Sequence, residues 1–269
     1  MATRTGRSAA VVYNSRMYTH IAAYAFTPID RPQALADHLQ SRAEALNLLG
    51  TVLVAAEGVN LFLAGEGGAV DGFLGQLRED PRFAALSVKR SVCRQPPFLR
   101  LKVKVKPEIV TFRQPDVSPP PAHTPGVSPQ TLRRWIAQGT DDAGRPLVLL
   151  DTRNREEFAY GTFSGALTLP IDNFVDLPGA LEPHRDALAG AAVVGFCTGG
   201  IRCEKAVPWM RAAGYGDVLQ LEGGILGYFE SVGGEGWSGD CFVFDERIAL
   251  DPALRPLAER APSVTENAA

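Results

Sequence analysis

Cysteine is scarce in this chain: four residues in 269, at positions 93, 197, 203 and 241. So few thiols at such irregular spacing do not make the disulfide framework of a small secreted domain. No Cys-x-x-Cys pair occurs, and the four histidines are scattered, so no zinc-ligand spacing is present and no metal is expected. Free thiols in a reducing compartment, the cytoplasm, are the expectation. Long apolar runs are missing too. The stretch from Ala9 to Tyr13 is far shorter than a signal-peptide core, and nothing approaches the roughly 20 apolar residues that cross a bilayer. No membrane contact is therefore expected. The net charge is a mere −3, so any affinity for a polyanion has to come from a local patch. No glycine fingerprint for a flavin or nicotinamide is visible, and neither an organic cofactor nor an obligate protein partner is expected.

The 45% hydrophobic content suits a globular protein with a proper core, long enough for one large domain or two small ones. Proline marks a division. Pro115, Pro119, Pro120, Pro121, Pro125 and Pro129 crowd one region, and proline fixes φ and removes amide donors. Residues 113–127 therefore read as a semi-rigid linker between domains at 17–112 and 128–235. Residues 1–16 read as a loose tail and 236–269 as a C-terminal tail.

In the first half, strands are expected at Tyr18–Phe26, Thr51–Ala55, Asn60–Ala64, Leu86–Ser91 and Leu99–Val105, with helices at Arg31–Leu48 and Val70–Leu77. The order β-α-β-β-α-β, with a possible extra strand, suggests a ferredoxin-like α+β sandwich. In the second half, short, largely apolar runs (Leu147–Leu150, Ala191–Phe196, Asp217–Leu221) alternate with helical stretches. That is the pattern of an α/β doubly wound parallel sheet covered on both faces, whose sites lie at the carboxyl ends of strands. Cys197 falls at such an end.

The loop Cys197-Thr198-Gly199-Gly200-Ile201-Arg202 carries the chemistry. A thiol reacts as its thiolate, so the site has to stabilise negative charge. Adjacent glycines let amides converge into an anion cradle, and a helix from Cys203 turns its positive end toward the sulfur. Arg202 adds a full charge and a fork suited to an oxyanion. A buried cysteine before a glycine turn is commonplace; the preceding strand, the following helix and Arg202 together single this one out.

A second feature is local. From Pro81 to Pro107 there are eight basic residues and no acid. In Arg100-Leu-Lys-Val-Lys-Val-Lys106 the cations occupy every second position, so Arg100, Lys102, Lys104 and Lys106 share one face of a strand. A lysine-guarded sheet edge is one reading. Phosphate binding, with Phe98 nearby to stack or to fill the core, is the other.

Asp151-Thr152-Arg153, Glu157-Phe158, Gly161, Gly165-Ala166 and Pro170, the Cys197–Arg202 loop, and Leu221-Glu222-Gly223-Gly224 together resemble the rhodanese family over residues 128–235. Cys197 to Lys205, Glu57-Gly58-Val59-Asn60, Arg100 to Lys106 and Phe242 to Arg247 narrow this further. They resemble the rhodanese-domain tRNA uridine-34 hydroxylases, here without the cysteine-rich C-terminal extension of some members. The resemblance implies a ferredoxin-like domain joined to a rhodanese domain. It also implies hydroxylation of carbon 5 of the wobble uridine to 5-hydroxyuridine, with molecular oxygen as co-substrate and the anticodon arm of tRNA as partner. Cys197 and Arg202 become the expected catalytic pair, and Glu57 and Asn60, which also suit a tight turn, become supporting residues. Asp151 and Arg153 are expected to brace the loop or touch substrate. Two other readings stay open: a sulfurtransferase carrying sulfane sulfur as a Cys197 persulfide, and an RNA-binding module with no catalysis. Pro208, inside the helix after the loop, is expected to kink it.

Overall fold

The computed structural model describes residues 17–114 and 124–257. The middle of the expected linker, the N-terminal tail and residues 258–269 lie outside the described residues. The chain runs β1 (Tyr18–Phe26), α1 (Pro32–Ala45), β2 (Leu49–Ala55), β3 (Gly58–Gly65), α2 (Gly67–Glu79), β4 (Val88–Cys93) and β5 (Leu101–Val105) through its first half. These strands form one sheet in the order β4-β1-β3-β2-β5, antiparallel except where β5 runs parallel to β2. This is the ferredoxin-like arrangement with its extra strand. Alternation along the strands decides the layers. Ile21 and Ala23, Val52 and Val54, and Leu61 and Leu63 are buried under α1 and α2. Tyr24, Asn60 and Phe62 point to the opposite face, which no helix of this domain covers.

The second half continues with β6 (Gly126–Val127), α3 (Pro129–Gln138), β7 (Leu147–Asp151), α4 (Arg155–Phe158), β8 (Gly161–Phe163), β9 (Leu167–Thr168), α5 (Leu177–Leu181), α6 (Arg185–Leu188) and β10 (Ala192–Phe196). Then come α7 (Cys203–Ala212), β11 (Val218–Leu221), α8 (Gly224–Val232), β12 (Trp237–Gly239), β13 (Cys241–Phe242) and β14 (Ala249–Leu250). A parallel sheet, β6-β11-β10-β7-β9, has a hydrophobic cluster on each face. Val193 packs under α7 and Val194 under α8, which is why β10 is apolar at every position. Ser128 caps α3, its hydroxyl accepting from the Thr131 amide at 3.2 Å, with Pro129 at the first helical position. The helix α7 runs on through Pro208 to Ala212.

Three boundaries differ from the sequence expectation. Phe112, expected in the first domain, lies in the core of the second, stacked on Phe174 at 4.7 Å and edge-on to Trp209 at 5.9 Å. Gly126 and Val127, expected in the linker, pair with Gln220 and Leu221 as β6. The segment after residue 235, expected as a tail, is built into the fold as far as the described residues go. β12 pairs with β8, Trp237 packs edge-on against Phe163 at 5.1 Å, and β13 pairs with β14. Its apolar side chains Trp237, Cys241 and Val243 supply the burial that holds it.

Two charged clusters join the halves. Lys205, buried in the first turn of α7, places its ammonium 2.8 Å from Glu57, 2.6 Å from Glu108 and 3.1 Å from the Val110 carbonyl. All three ammonium protons thus have acceptors, all from the first half of the chain or the crossing segment. Farther along, Arg247 grips Asp245 through two bonds of 2.8 and 2.6 Å and donates to Ser91 at 2.7 Å. That Arg–Asp pair sits against buried His20, whose pKa falls to about 3 through burial, so its ring stays neutral. No helix among the described residues is long and apolar enough to cross a membrane.

Candidate active site

Cys197 follows the last residue of β10, at the carboxyl edge of the parallel sheet, and is 2% exposed. The loop after it hangs on the start of α8. The Ile225 amide donates to the Cys197 carbonyl at 3.0 Å and the Leu226 amide to the Thr198 carbonyl at 3.1 Å. Gly224 permits this approach, because a Cβ there would lie 2.5 Å from the Cys197 carbonyl oxygen. The motif at Leu221–Gly224 is therefore the support of the cysteine loop. Gly200 has φ +100°, a conformation other residues adopt with strain, and its amide donates to the Cys197 sulfur at 3.2 Å.

The surroundings of the sulfur favour its thiolate form. A hydrogen bond from the Cys203 thiol is the largest cause, and burial opposes it. The Arg202 charge and the amides of Arg202 and Gly200 add to the first, and together they bring Cys197 down to about 6. Cys203 is pushed the other way by the same contact and by burial, and keeps its proton. Thr152, whose hydroxyl lies 3.7 Å from the Cys203 sulfur and 2.9 Å from the Phe196 carbonyl, braces the pair from β7's end. Alkylation by iodoacetamide, followed at Cys197 by mass spectrometry, is expected to rise with pH through about 6 and level off near neutrality. A plateau reached only above pH 8 contradicts the activated thiol.

Arg202 is placed differently from the sequence expectation. Its fork is bound edge-on by Glu157, at 2.8 and 3.1 Å, so it lends the thiolate its charge while its hydrogen bonds go elsewhere. Glu157 is fully buried and also accepts from the Asn154 amide at 3.1 Å, which disguises it in the sequence as a helix cap. Asp151 and Arg153 form a wholly buried bidentate pair at 2.9 and 2.6 Å. Arg153 also donates to the Gly161 carbonyl at 2.7 Å, so the pair braces the turn. Glu57 sits on Lys205 at the domain junction, and its other oxygen accepts from the Ile109 amide at 2.7 Å. Asn60 donates to the Ile109 carbonyl at 3.3 Å and lines the cavity beside the thiol.

That cavity, about 630 Å³, lies between the two halves. Its walls are the open face of β1 and β3, the loop 197–202, the turn after β11, and the strap Val243–Arg247. Thr198, Gly199, Gly200 and Ile201 all face it. Tyr24 from β1 was not foreseen. Its hydroxyl lies over Gly200, where a Cβ would be 2.9 Å away, and donates to Glu204 at 3.3 Å. Burial, then the neighbouring charges of Glu204 and Cys197, push its ionisation far up, so it stays a phenol. The lysine row lies elsewhere, on β5 at the far edge of the first sheet.

A parallel α/β sheet presenting a thiolate in an amide-lined turn before a helix defines a rhodanese-type thiol enzyme, here with a second domain closing over the sulfur. Residues 128–231 match the rhodanese-like domain model, and residues 18–109 match that of the UPF0176 acylphosphatase like domain. A protein named tRNA uridine(34) hydroxylase from Xanthomonas campestris pv. campestris is 63% identical over 91% of this chain and 97% of its own length. One of the same name from Xylella fastidiosa is 62% identical over 88% of this chain and 92% of its length. The chain belongs to the tRNA uridine(34) hydroxylase family.

Proposed function

We infer that this chain is a cytoplasmic tRNA-modifying enzyme that hydroxylates the wobble uridine, position 34, with Cys197 as the nucleophile. The relatives' shared name supports the reaction. The observation that carries the role of Cys197 is its lowered pKa at the wall of a cavity closed by both domains. A base buried in a helix stack is out of reach of a recessed thiol, whereas an unpaired anticodon base can be splayed into such a pocket. The thiolate adds to carbon 6 of uracil, which makes carbon 5 electron-rich enough to meet dioxygen. Loop amides and the Arg202 charge stabilise the anion on either side of that step. One atom of dioxygen bonds to carbon 5, which keeps its hydrogen until the adduct breaks down, and an external two-electron reductant such as a thiol takes the other atom to water. No resident cofactor is proposed.

The anticodon arm is proposed to lie on the open face of the first sheet. Paired strand positions share a face, and one row runs Ala22, Phe62, Thr51, Lys102, another Tyr24, Asn60, Leu53, Lys104. Each lysine therefore shares a face with the cavity wall, three strand spacings or roughly 14 Å away. That suits phosphates flanking a flipped base. Phe98 packs on His20 with ring centroids 5.5 Å apart, so it belongs to the strap's seat. Changing Lys102, Lys104 and Lys106 together to Glu is expected to weaken tRNA binding more than about tenfold and to flatten its salt dependence by about three counterions. Unchanged affinity and salt slope remove the lysine row from the interface.

The reaction itself is tested with purified protein, a uridine-34 tRNA transcript and ¹⁸O-labelled dioxygen. Label in a hydroxyl at position 34 is the expected result. Sulfur transfer from thiosulfate to cyanide with no change in the tRNA makes the chain a sulfurtransferase instead.

A further inference from the structure

Hydroxylation through a Cys197 adduct has one chemical need that the thiol does not meet. Once carbon 6 is bonded to Cys197, carbon 5 carries a proton that has to leave as the C–S bond breaks. A base must take it, and that base must stand at the cavity wall, near the sulfur, with no cation consuming its charge.

Three carboxylates line the cavity: Glu204, Glu222 and Asp245. Asp245 is bound by Arg247 at 2.6 and 2.8 Å, and Glu222 is exposed on the turn after β11. Glu204 differs from both. It is half-buried in the first turn of α7, next to Cys203, and forms no ion pair among the described residues. Its Oε1 accepts from the Tyr24 hydroxyl at 3.3 Å and the Gln220 side-chain amide at 3.0 Å. Both donors are uncharged, so they orient the carboxylate without neutralising it, and Oε2 accepts no hydrogen bond among the described residues. Tyr24 and the sulfur meet the same residue from two sides, Tyr24 over the Gly200 α-carbon and the sulfur on the Gly200 amide at 3.2 Å. The Gln220 side-chain carbonyl oxygen, buried and without a partner among the described residues, leaves an acceptor open next to this group.

We propose that Glu204 is the catalytic base that removes the carbon-5 proton, with Tyr24 and Gln220 as positioning residues that aim it. The proton passes to Oε2, and the C5–H electron pair becomes the C5=C6 bond as the C6–S bond breaks, whose own pair returns to Cys197 as thiolate. No oxidant takes part, so proton exchange at carbon 5 runs without oxygen. Thiolate adds at carbon 6, the carbon-5 enolate takes a deuteron from solvent on the face open to dioxygen, and Glu204 removes the original hydrogen from the other.

This rests on the Cys197 adduct, and the test separates the two. In deuterium oxide without oxygen, the wild-type protein is expected to place deuterium on carbon 5 of uridine 34, read as a one-mass-unit gain in the isolated nucleoside. Glu204→Gln is expected to slow this exchange by at least about 10²-fold, the usual worth of a general base. Under oxygen the same variant is expected to retain tRNA covalently on the Cys197 peptide, because its product adduct cannot eliminate. Exchange by Glu204→Gln at the wild-type rate overturns the proposal and leaves the adduct standing. Loss of both exchange and adduct in the variant alone assigns Glu204 to binding or folding, and overturns it too. No exchange by the wild-type protein and no adduct in the variant take down the underlying reading.

Discussion

Cys197→Ala is expected to lower uridine hydroxylation by about 10³-fold or more, with the fold intact. Loss of a covalent nucleophile removes the pathway itself, and the remaining loop cannot substitute for a bond to carbon 6. The structure predicts little harm to stability. The sulfur is small and buried, and its removal relieves the interior of a thiolate held there by Cys203, Arg202 and two amides. Cys197→Ser is expected to be almost as inactive, since a hydroxyl in the same cradle stays protonated near neutral pH. Turnover measured by mass spectrometry of the wobble nucleoside, beside a thermal melt of each variant, checks both halves. A folded alanine variant with a tenth of wild-type activity contradicts the nucleophile.

The second large effect is structural. Lys205→Met is expected to cost about 3–5 kcal/mol, because it strands Glu57 and Glu108 side by side without their cation. At about 2–4 °C per kcal/mol in a protein of this size, the melting point falls by roughly 6–20 °C. Activity falls as well, since Lys205 sits two residues past Cys203 and holds the first sheet, with Tyr24, against the cysteine loop. Adding Glu57→Gln and Glu108→Gln to Lys205→Met is expected to recover most of the loss, as a site emptied of charge is far less costly than a half-charged one. A triple variant as unstable as the single one would make the lysine's packing, not its charge, the cause. Acid acts on the same cluster. Burial works against the Glu108 charge, but the Lys205 bond and the Phe112 amide outweigh it, holding its carboxyl below the usual range. Its contribution is full above an unfolded glutamate's pKa of about 4.3 and is lost as pH falls through the depressed folded value.

Strands such as Tyr18–Phe26 were legible because alternation and β-branched runs are local signals, and the Cys197 loop because its glycines, strand and helix are adjacent in sequence. The partners of charge were not. Glu157 holds Arg202 from 45 residues away, and the spacing Asn154-x-x-Glu157 explains its acid equally well as a cap. Tyr24 reaches the site across 180 residues, and its role depends on how two domains dock, which no periodicity encodes. The strap at Val243–Arg247 hid for a similar reason. Its motif was visible as part of a resemblance, yet a short polar segment after the last helix carries no sign that Arg247 will be buried against Ser91 and His20. The lysine row lay in plain sight, and the register of β5 was needed to show that it shares a face with the cavity.

The central claim is that Cys197 hydroxylates the wobble uridine, and the measurement nearest to it is nucleoside mass spectrometry of position 34 in tRNA. The tRNA is taken from a strain deleted for this protein and complemented with either wild type or Cys197→Ala. Wild type is predicted to restore 5-hydroxyuridine and the alanine variant, expressed to the same level, to leave plain uridine. Restoration of the hydroxyl by the alanine variant would contradict the account.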